Sequence, residues 1–393
     1  MDTLQTLGLR LSTLTVFRAL LCDPVLVSLR AYLDAPSPGA YAAFVSALYA
    51  ANGGHLGGHL RALCENDENV YVRAVGRGED VPCFLRDTVE AELACLQEIS
   101  ALTPETLRAP LAYDGFLPSF ASGGVCLAEE YRRRAADIGR YGYGIYANNR
   151  MFSVSDGGAI VPVRSPDRTT LADLVDYERE RGLILDNTRA LLAGRPAANI
   201  LLTGDAGTGK SSTIKAVANA LYPEGLRIVE LRKDQLRAIP QVLDELADNP
   251  LKFILFIDDL SFLRDDDNFN ALKAVLEGSV TAKSKNVAIY ATSNRRHLVR
   301  ETFSDREGDE VHRNDTMQEM ISLSDRFGLH ITFSKPGRDT YLHIVRHLAS
   351  ESGLSLPDAE LEARAERFAL ERGGRSARLA RQFVDGLLSR ENP

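Results

Sequence analysis

Hydrophobic spacing divides the chain into three stretches. Residues 1 to about 165 are rich in leucine and alanine at helical spacing, as in Leu7, Leu11, Leu14, Phe17 and Leu21. Near the end of this stretch the character changes. Tyr141, Tyr143, Tyr146, Phe152 and Val154, then Ala159-Ile160-Val161-Pro162-Val163, predict short strands around glycine turns over 141–163. From 166 to about 335, apolar runs alternate with helical segments. Strands are expected at 199–203, 226–231, 252–257, 286–292 and 329–333. Helices are expected at about 170–193, 210–221, 240–247, 268–278 and 315–323. Such alternation means a parallel sheet covered by helices on both faces. Residues 336–393 read as three helices, at 341–352, 358–371 and 376–388, punctuated by Pro336-Gly337 and Pro357. The expected domains are therefore 1–165, mostly helical with short strands near 141–163, then 166–335, an α/β core, and 336–393, a helical lid.

Composition narrows the picture only modestly. A length of 393 residues allows two or three domains with their own cores. Hydrophobic residues at 45% and charged residues at 25% are ordinary for a globular chain. A net charge of −8 argues against a broad basic surface for nucleic acid. Cys22, Cys64, Cys83, Cys95 and Cys126 are odd in number and irregular in spacing, which reads as reduced thiols in a cytoplasmic protein. No apolar run approaches the roughly 18 residues of a membrane span. The leucine-rich start carries Asp2, Arg10, Arg18 and Asp23, and reads as an amphipathic helix, not a secretion signal. Gly-Gly-His-Leu occurs twice, at 53–56 and 57–60, placing His55 and His59 four apart. The four glycines argue for a flexible connection over a metal site. Arg132-Arg133-Arg134 follows Glu129-Glu130, as on a solvated helix face.

The chemistry is concentrated in the middle stretch. Residues 204–211 read Gly204-Asp205-Ala206-Gly207-Thr208-Gly209-Lys210-Ser211, a full match to GxxxxGK[ST]. Glycines let successive backbone N–H groups turn inward around phosphate oxygens. Lys210 brings a charge to the β- and γ-phosphates, and the Ser211 hydroxyl can ligate Mg²⁺. An apolar strand enters the loop and a helix beginning with Ser212 leaves it, so the helix dipole adds to the free N–H groups. Phe253 to Ile257 is a buried-strand pattern ending in Asp258-Asp259. Asp258 is placed to hold Mg²⁺, and Asp259 to orient or deprotonate an attacking water. Two acids can also simply end a strand at the surface; their place downstream of the loop is what favours a site. A second strand ends in Asn294, an amide that can hold a water or a γ-phosphate without adding charge. Arg326, in Ser324-Asp325-Arg326-Phe327-Gly328, can reach a phosphate, or merely pair with Asp325. Arg375 and Arg378 open the last helix, where the dipole disfavours cations unless an anion lies nearby.

In this order, these residues resemble the AAA+ ATPase superfamily over about residues 166–390. Within it the chain is similar to a bacterial AAA-type ATPase family of unknown function. Leu174-Val175-Asp176-Tyr177-Glu178, Ala291-Thr292-Ser293-Asn294 and Ser324 to Gly328 carry the closer likeness. The resemblance implies Walker A at 204–211, Walker B at Asp258 and Asp259, sensor 1 at Asn294 and an arginine finger acting in trans at Arg326. It also implies sensor 2 at Arg375, with Arg378 as rival, and Asp176-Tyr177 near adenine. It further implies ATP and Mg²⁺ as cofactors and a homo-oligomer, a ring or part of one.

Two departures bear on function. The second Walker B acid is Asp259, one methylene shorter than the usual glutamate, as in initiator and helicase-loader ATPases. The segment 232–239 holds no aromatic-apolar-glycine pore loop. The leading expectation is an ATPase that remodels or assembles a macromolecular partner chosen by the N-terminal region. The alternative is a nucleotide-gated switch or loader with slow hydrolysis. A nucleic-acid partner is a third reading, resting on Lys273, Lys283, Lys285, Arg295 and Arg296.

Overall fold

The computed structural model describes residues 3–260, 267–277, 285–294 and 325–391. The expected helix at 315–323 lies outside them, as do Lys283, Arg295 and Arg296. The chain folds as two compact units, one of residues 1–149 with 248–251, the other of 150–247 with 252–393.

The first unit is helical. Its helices include Thr3–Ser12, Pro24–Asp34, Pro38–Asn52, Leu56–Asn66, Cys83–Ser100 and Leu127–Ala136. They enclose one apolar core containing Leu11, Phe17, Leu29, Tyr32, Phe44, Leu60, Leu93 and Leu96. The first helix ends at Ser12, earlier than the leucine spacing suggests, because the backbone beyond it is taken over by a buried acid. The Glu92 carboxylate accepts from the N–H groups of Thr15, at 2.6 Å, Val16, at 3.1 Å, and Phe17, at 2.9 Å. Three donors ahead of the short helical turn Arg18–Cys22 are thereby satisfied.

The second glycine pair is not a flexible connection. His55 caps the helix Leu56–Asn66, its Nδ1 accepting from Gly58 N at 2.8 Å, so Gly57 and Gly58 are helical. A Cβ on Gly57 would stand 3.1 Å from Val125 Cγ2 and 3.3 Å from the Ser100 carbonyl. The glycine is there for close packing. His59 pairs with Asp23 at 3.0 Å, the residue that caps the helix Pro24–Asp34. Arg134 is no solvated residue either; it is largely buried and lies 3.4 Å from Glu65.

The second unit is built on a seven-stranded sheet. In chain order the strands are β1 (Met151–Val154), β2 (Ile160–Pro162), β3 (Ile200–Gly204), β4 (Leu226–Leu231), β5 (Lys252–Ile257), β6 (Val287–Ser293) and β7 (Leu329–Phe333). Their order across the sheet is β2-β1-β4-β5-β6-β3-β7, and only the β1–β2 pair is antiparallel. Of the strands expected over 141–163, only 151–154 and 160–162 form, at the edge of this sheet; Tyr141 and Tyr146 lie in helical turns of the first unit. Phe152 is in register with Val229, which moves the boundary from 165 to 149.

β5 has strands on both sides, and Phe253 to Ile257 are wholly buried. A strand covered on both faces reads as a continuous apolar run, and this one does. Alternate residues sort by face. Ile200, Leu202, Ile228, Ile254, Phe256 and Tyr290 form one core with Ile184, Leu191, Ile214 and Val217 from the helices Glu178–Leu192 and Lys210–Leu221. Leu201, Val229, Leu255 and Ile257 point to the other face and are buried equally. The Tyr290 hydroxyl, deep in the first layer, bonds Thr188 Oγ1 at 2.8 Å and Asn187 Nδ2 at 3.0 Å.

The expected helix at 170–193 begins only at Glu178. Side chains of Asp167 and Asp173 accept from the N–H groups of Thr169 and Thr170, both local bonds that compete with helix. Asp176 and Tyr177 then both take left-handed backbone, φ 61° each. After β7, helices Arg338–Glu351, Asp358–Glu371 and Ala377–Glu391 pack around Tyr341, Val345, Leu361, Ala365, Ala380 and Val384. They form a small lid with its own core. No helix among the described residues is long and apolar enough to cross a membrane.

Glu92→Ala leaves three backbone donors unpaired and should cost about 2–4 kcal/mol, read from the denaturant midpoint by circular dichroism. A second outcome concerns Asp67. Burial first, then the charges of Glu68 and Glu92, push its carboxyl above its ordinary 3.8, against a bond from Asn69. The native state therefore prefers the proton more than the unfolded chain does, and stability falls as pH rises from 3.8 through the raised value. Asp67→Asn should flatten that slope; an unchanged slope in melting temperature against pH would refute it.

Candidate functional site

β3 delivers the chain into the glycine loop, and the helix Lys210–Leu221 carries it away. Lys210 does not point to solvent. Its ammonium donates to the carbonyls of Gly204, at 2.8 Å, and Asp205, at 2.9 Å, and to Asn294 Oδ1 at 3.0 Å. Burial draws its pKa down, while the charges of Asp205, Asp258 and Asp259 work the other way. Gly207 has φ 79°, and a Cβ there would stand 3.0 Å from Arg378 Cβ and 3.2 Å from Ser376 Oγ. Glycine is needed for the turn and for the close approach of the last lid helix.

The strand β5 ends where the loop begins. Asp258 Oδ1 accepts from Ser211 Oγ at 2.6 Å, from Thr292 Oγ1 at 2.6 Å and from the Asp259 N–H at 3.1 Å. Asp259 itself takes left-handed backbone, φ 54°, which turns it out of the strand direction. Its Oδ1 accepts from Asn294 Nδ2 at 2.7 Å. Asn294 therefore bridges the exposed acid and the buried lysine, one amide atom to each. The hydroxyl and carboxylate pair of Ser211 and Asp258 is an all-oxygen donor set, suited to a hard cation that keeps most of its shell as water and phosphate.

These groups line one cavity of about 1020 Å³. Its floor is the loop from Ala206 to Ser212, with Asp258, Asp259, Thr292 and Asn294. Its other side is formed by residues 173–177, by Ile344, Leu348 and Glu351 of the first lid helix, and by Arg378 and Arg381 of the last. Tyr177 lies in that wall. Its ring sits 5.1 Å from that of Phe333, its hydroxyl donates to the Ser334 carbonyl at 2.6 Å, and burial pushes its phenol up to about 12. Gly204 and Asp205 contribute carbonyls to Lys210 and do not line the cavity.

Two expected residues stand elsewhere. Arg375 is held bidentately by Glu366, at 2.9 and 2.7 Å, outside the cavity lining. The reason is where the helix starts. Ser376 Oγ accepts from Leu379 N, the helix runs from Ala377, and Arg378 in its first turn faces the loop, its own N–H donating to Gly207 O at 3.2 Å. Arg378, the rival, lines the cavity, and Arg375 does not. Arg326 does not line the cavity either; it pairs with Glu277, and the buried Phe327 beside it anchors the segment.

Sequence reasoning missed Arg181, Arg381 and Thr292. Arg181 Nη1 donates to the carbonyls of Leu171, at 3.1 Å, and Leu174, at 2.7 Å, and so fixes the cavity wall before Tyr177. The sequence holds no signal for it, because Arg181 comes to lie one turn into a helix only once that helix starts at Glu178 and not at 170. Arg381 lies three residues after Arg378, on the same helix face. Thr292 looked like an ordinary β-branched strand residue.

Removing Arg181 should loosen the wall without unfolding the sheet. Arg181→Ala is expected to speed amide exchange across 169–177 by about tenfold, with β3 and β5 unchanged. Hydrogen exchange by mass spectrometry reads both, and equal rates in the wall would refute the role.

Among known proteins, the family described as "Protein of unknown function (DUF815)" matches residues 147–391. No curated protein matches significantly. The solved structure of the Thermotoga maritima RuvB Holliday junction branch migration motor matches with 17% identity and a TM-score of 0.37 over 55% of this chain and 63% of that one. A point mutant of the same protein matches with 18% identity and the same TM-score and coverage. The chain thus spans less than two thirds of the length of these structures.

Proposed function

This chain belongs to the DUF815 family, and from its site we propose that it is a Mg²⁺-dependent ATPase of the AAA+ kind, working as an oligomer to remodel or assemble a macromolecular partner. The carrying observation is the convergence, on one cavity, of the glycine loop with Lys210, the Ser211–Asp258 pair and the Asp259–Asn294 pair. Each makes sense as a response to one part of a nucleoside triphosphate.

The loop N–H groups and the helix N-terminus take the phosphates. Lys210, now held by three oxygens, is a pre-placed cation that exchanges those acceptors for phosphate oxygens. Ser211 and Asp258 would hold Mg²⁺, which would supply charge neutralisation to the bound phosphates. Asp259 orients or deprotonates the attacking water, and Asn294 keeps that carboxylate aligned. Tyr177 and the 173–176 segment offer the apolar and polar wall for the base. Arg378 and Arg381 bring positive charge from the lid to the phosphate end. Arg326 acts on the site of a neighbouring copy, and the helical unit selects the partner.

A second reading, a nucleotide-gated loader with slow hydrolysis, is favoured by one observation. Asp259 is short, its backbone is turned to φ 54°, and its Oδ1 is already engaged by Asn294. Steady-state turnover separates the two; fast hydrolysis stimulated by a partner removes the second.

Lys210→Ala should lower turnover by at least about 100-fold, since it removes the charge at the transferring phosphate. Arg378→Ala should weaken ATP binding about tenfold, whereas Arg375→Ala should leave affinity unchanged and lower the melting temperature by freeing Glu366. Equal losses of affinity for both variants would count against the lid assignment. Mixing Arg326→Ala with Lys210→Ala chains should recover some turnover if Arg326 acts in trans. Mixed assemblies without any recovery would sink that assignment.

A further inference from the structure

The two acids and the residue after them, 258 to 260, are all tied to one residue of the neighbouring strand. Thr292 Oγ1 donates to Asp258 Oδ1 at 2.6 Å and accepts from the Asp259 N–H at 2.9 Å, while the Thr292 carbonyl accepts from the Leu260 N–H at 2.7 Å. The hydroxyl has one hydrogen, and it is used on the carboxylate; its lone pair is used on the amide. Serine can make both bonds but lacks the methyl, and valine keeps the shape but lacks the oxygen.

We propose that Thr292 is a positioning residue for both acids, setting the carboxylate of Asp258 toward the cation and holding Asp259 in its left-handed turn. This role rests on the ATPase reading above. Thr292 is buried, 2% exposed, at the end of β6 and lines the floor of the cavity. Its bond directs Oδ1 of Asp258 along the same side as Ser211 Oγ, 2.6 Å away, so the two oxygens that would take the cation are presented together. The bond to the Asp259 N–H stabilises the one residue in this segment with φ of 54°, a conformation costly for a non-glycine side chain. One hydroxyl therefore couples the metal-facing acid to the water-facing acid. Groups that orient ligands from behind, when lost, typically weaken metal affinity by about 10–100-fold.

The test uses the full chain and two readouts, one independent of turnover. Binding of ADP is measured with and without Mg²⁺, over a Mg²⁺ series, alongside ATP turnover. Thr292→Val should leave metal-free ADP binding unchanged, raise the Mg²⁺ needed for half-maximal tightening by about 10-fold or more, and lower turnover in a way that added Mg²⁺ partly restores. Thr292→Ser should stay within about twofold of wild type. If the valine variant does not fold, Thr292→Ala, which leaves room in the strand, takes its place. Unchanged Mg²⁺ dependence in a folded variant overturns the inference and leaves the ATPase reading standing. A lower melting temperature with unchanged Mg²⁺ dependence also overturns it, since the role is then only structural. Wild-type protein that binds no ADP or ATP at all overturns the ATPase reading itself, and this inference with it.

Discussion

One carboxylate oxygen, Oδ1 of Asp258, receives hydrogens from three donors on three separate parts of the core. One comes from the helix after the glycine loop, one from β6 and one from the turn after β5. A buried-edge acid can hold this position only if its charge is met on every side. Meeting it fixes where the helix starts, how far β6 extends and which way the chain leaves β5. The rest of the site depends on those three placements.

The sheet behind it makes such placement rigid. β5 is flanked by strands on both sides and buried from Phe253 to Ile257, so the acid-bearing end cannot drift without disturbing a packed core. A polar group deep in the layer, the Tyr290 hydroxyl, is paired with Thr188 and Asn187 and ties the helix Glu178–Leu192 to β6. The irregular segment before that helix is therefore held at its far end by a rigid element and along its length by Arg181.

What was legible in the sequence was local. The loop 204–211, the strands on either side of it and the lid helices are each written in spacing over a few residues, and the structure has them within a residue or two for most elements. What was not legible depends on pairing across the chain or on a cap. That β1 joins β4 requires 151–154 to find 226–231, which no periodicity announces. The helix expected from residue 170 failed because two aspartates bond their own backbone neighbours, a choice that apolar spacing does not register. The choice between Arg375 and Arg378 turned on Ser376, a cap that decides which arginine lies inside the helix. Thr292 was invisible for a different reason: its role lies in a hydroxyl, whereas its strand position is explained by its methyl.

The close seat of the last lid helix on the glycine loop has a mechanical side. Arg378 N–H bonds Gly207 O, and the missing Cβ of Gly207 leaves no slack between them. The helix Ala377–Glu391 has 15 residues, so it is a stiff rod about 22 Å long. Along that rod Ala380, Phe383, Val384 and Leu387 are buried against the other two lid helices. A displacement of the loop would therefore be handed to the three helices as one body, because a close-packed core transmits strain without absorbing it.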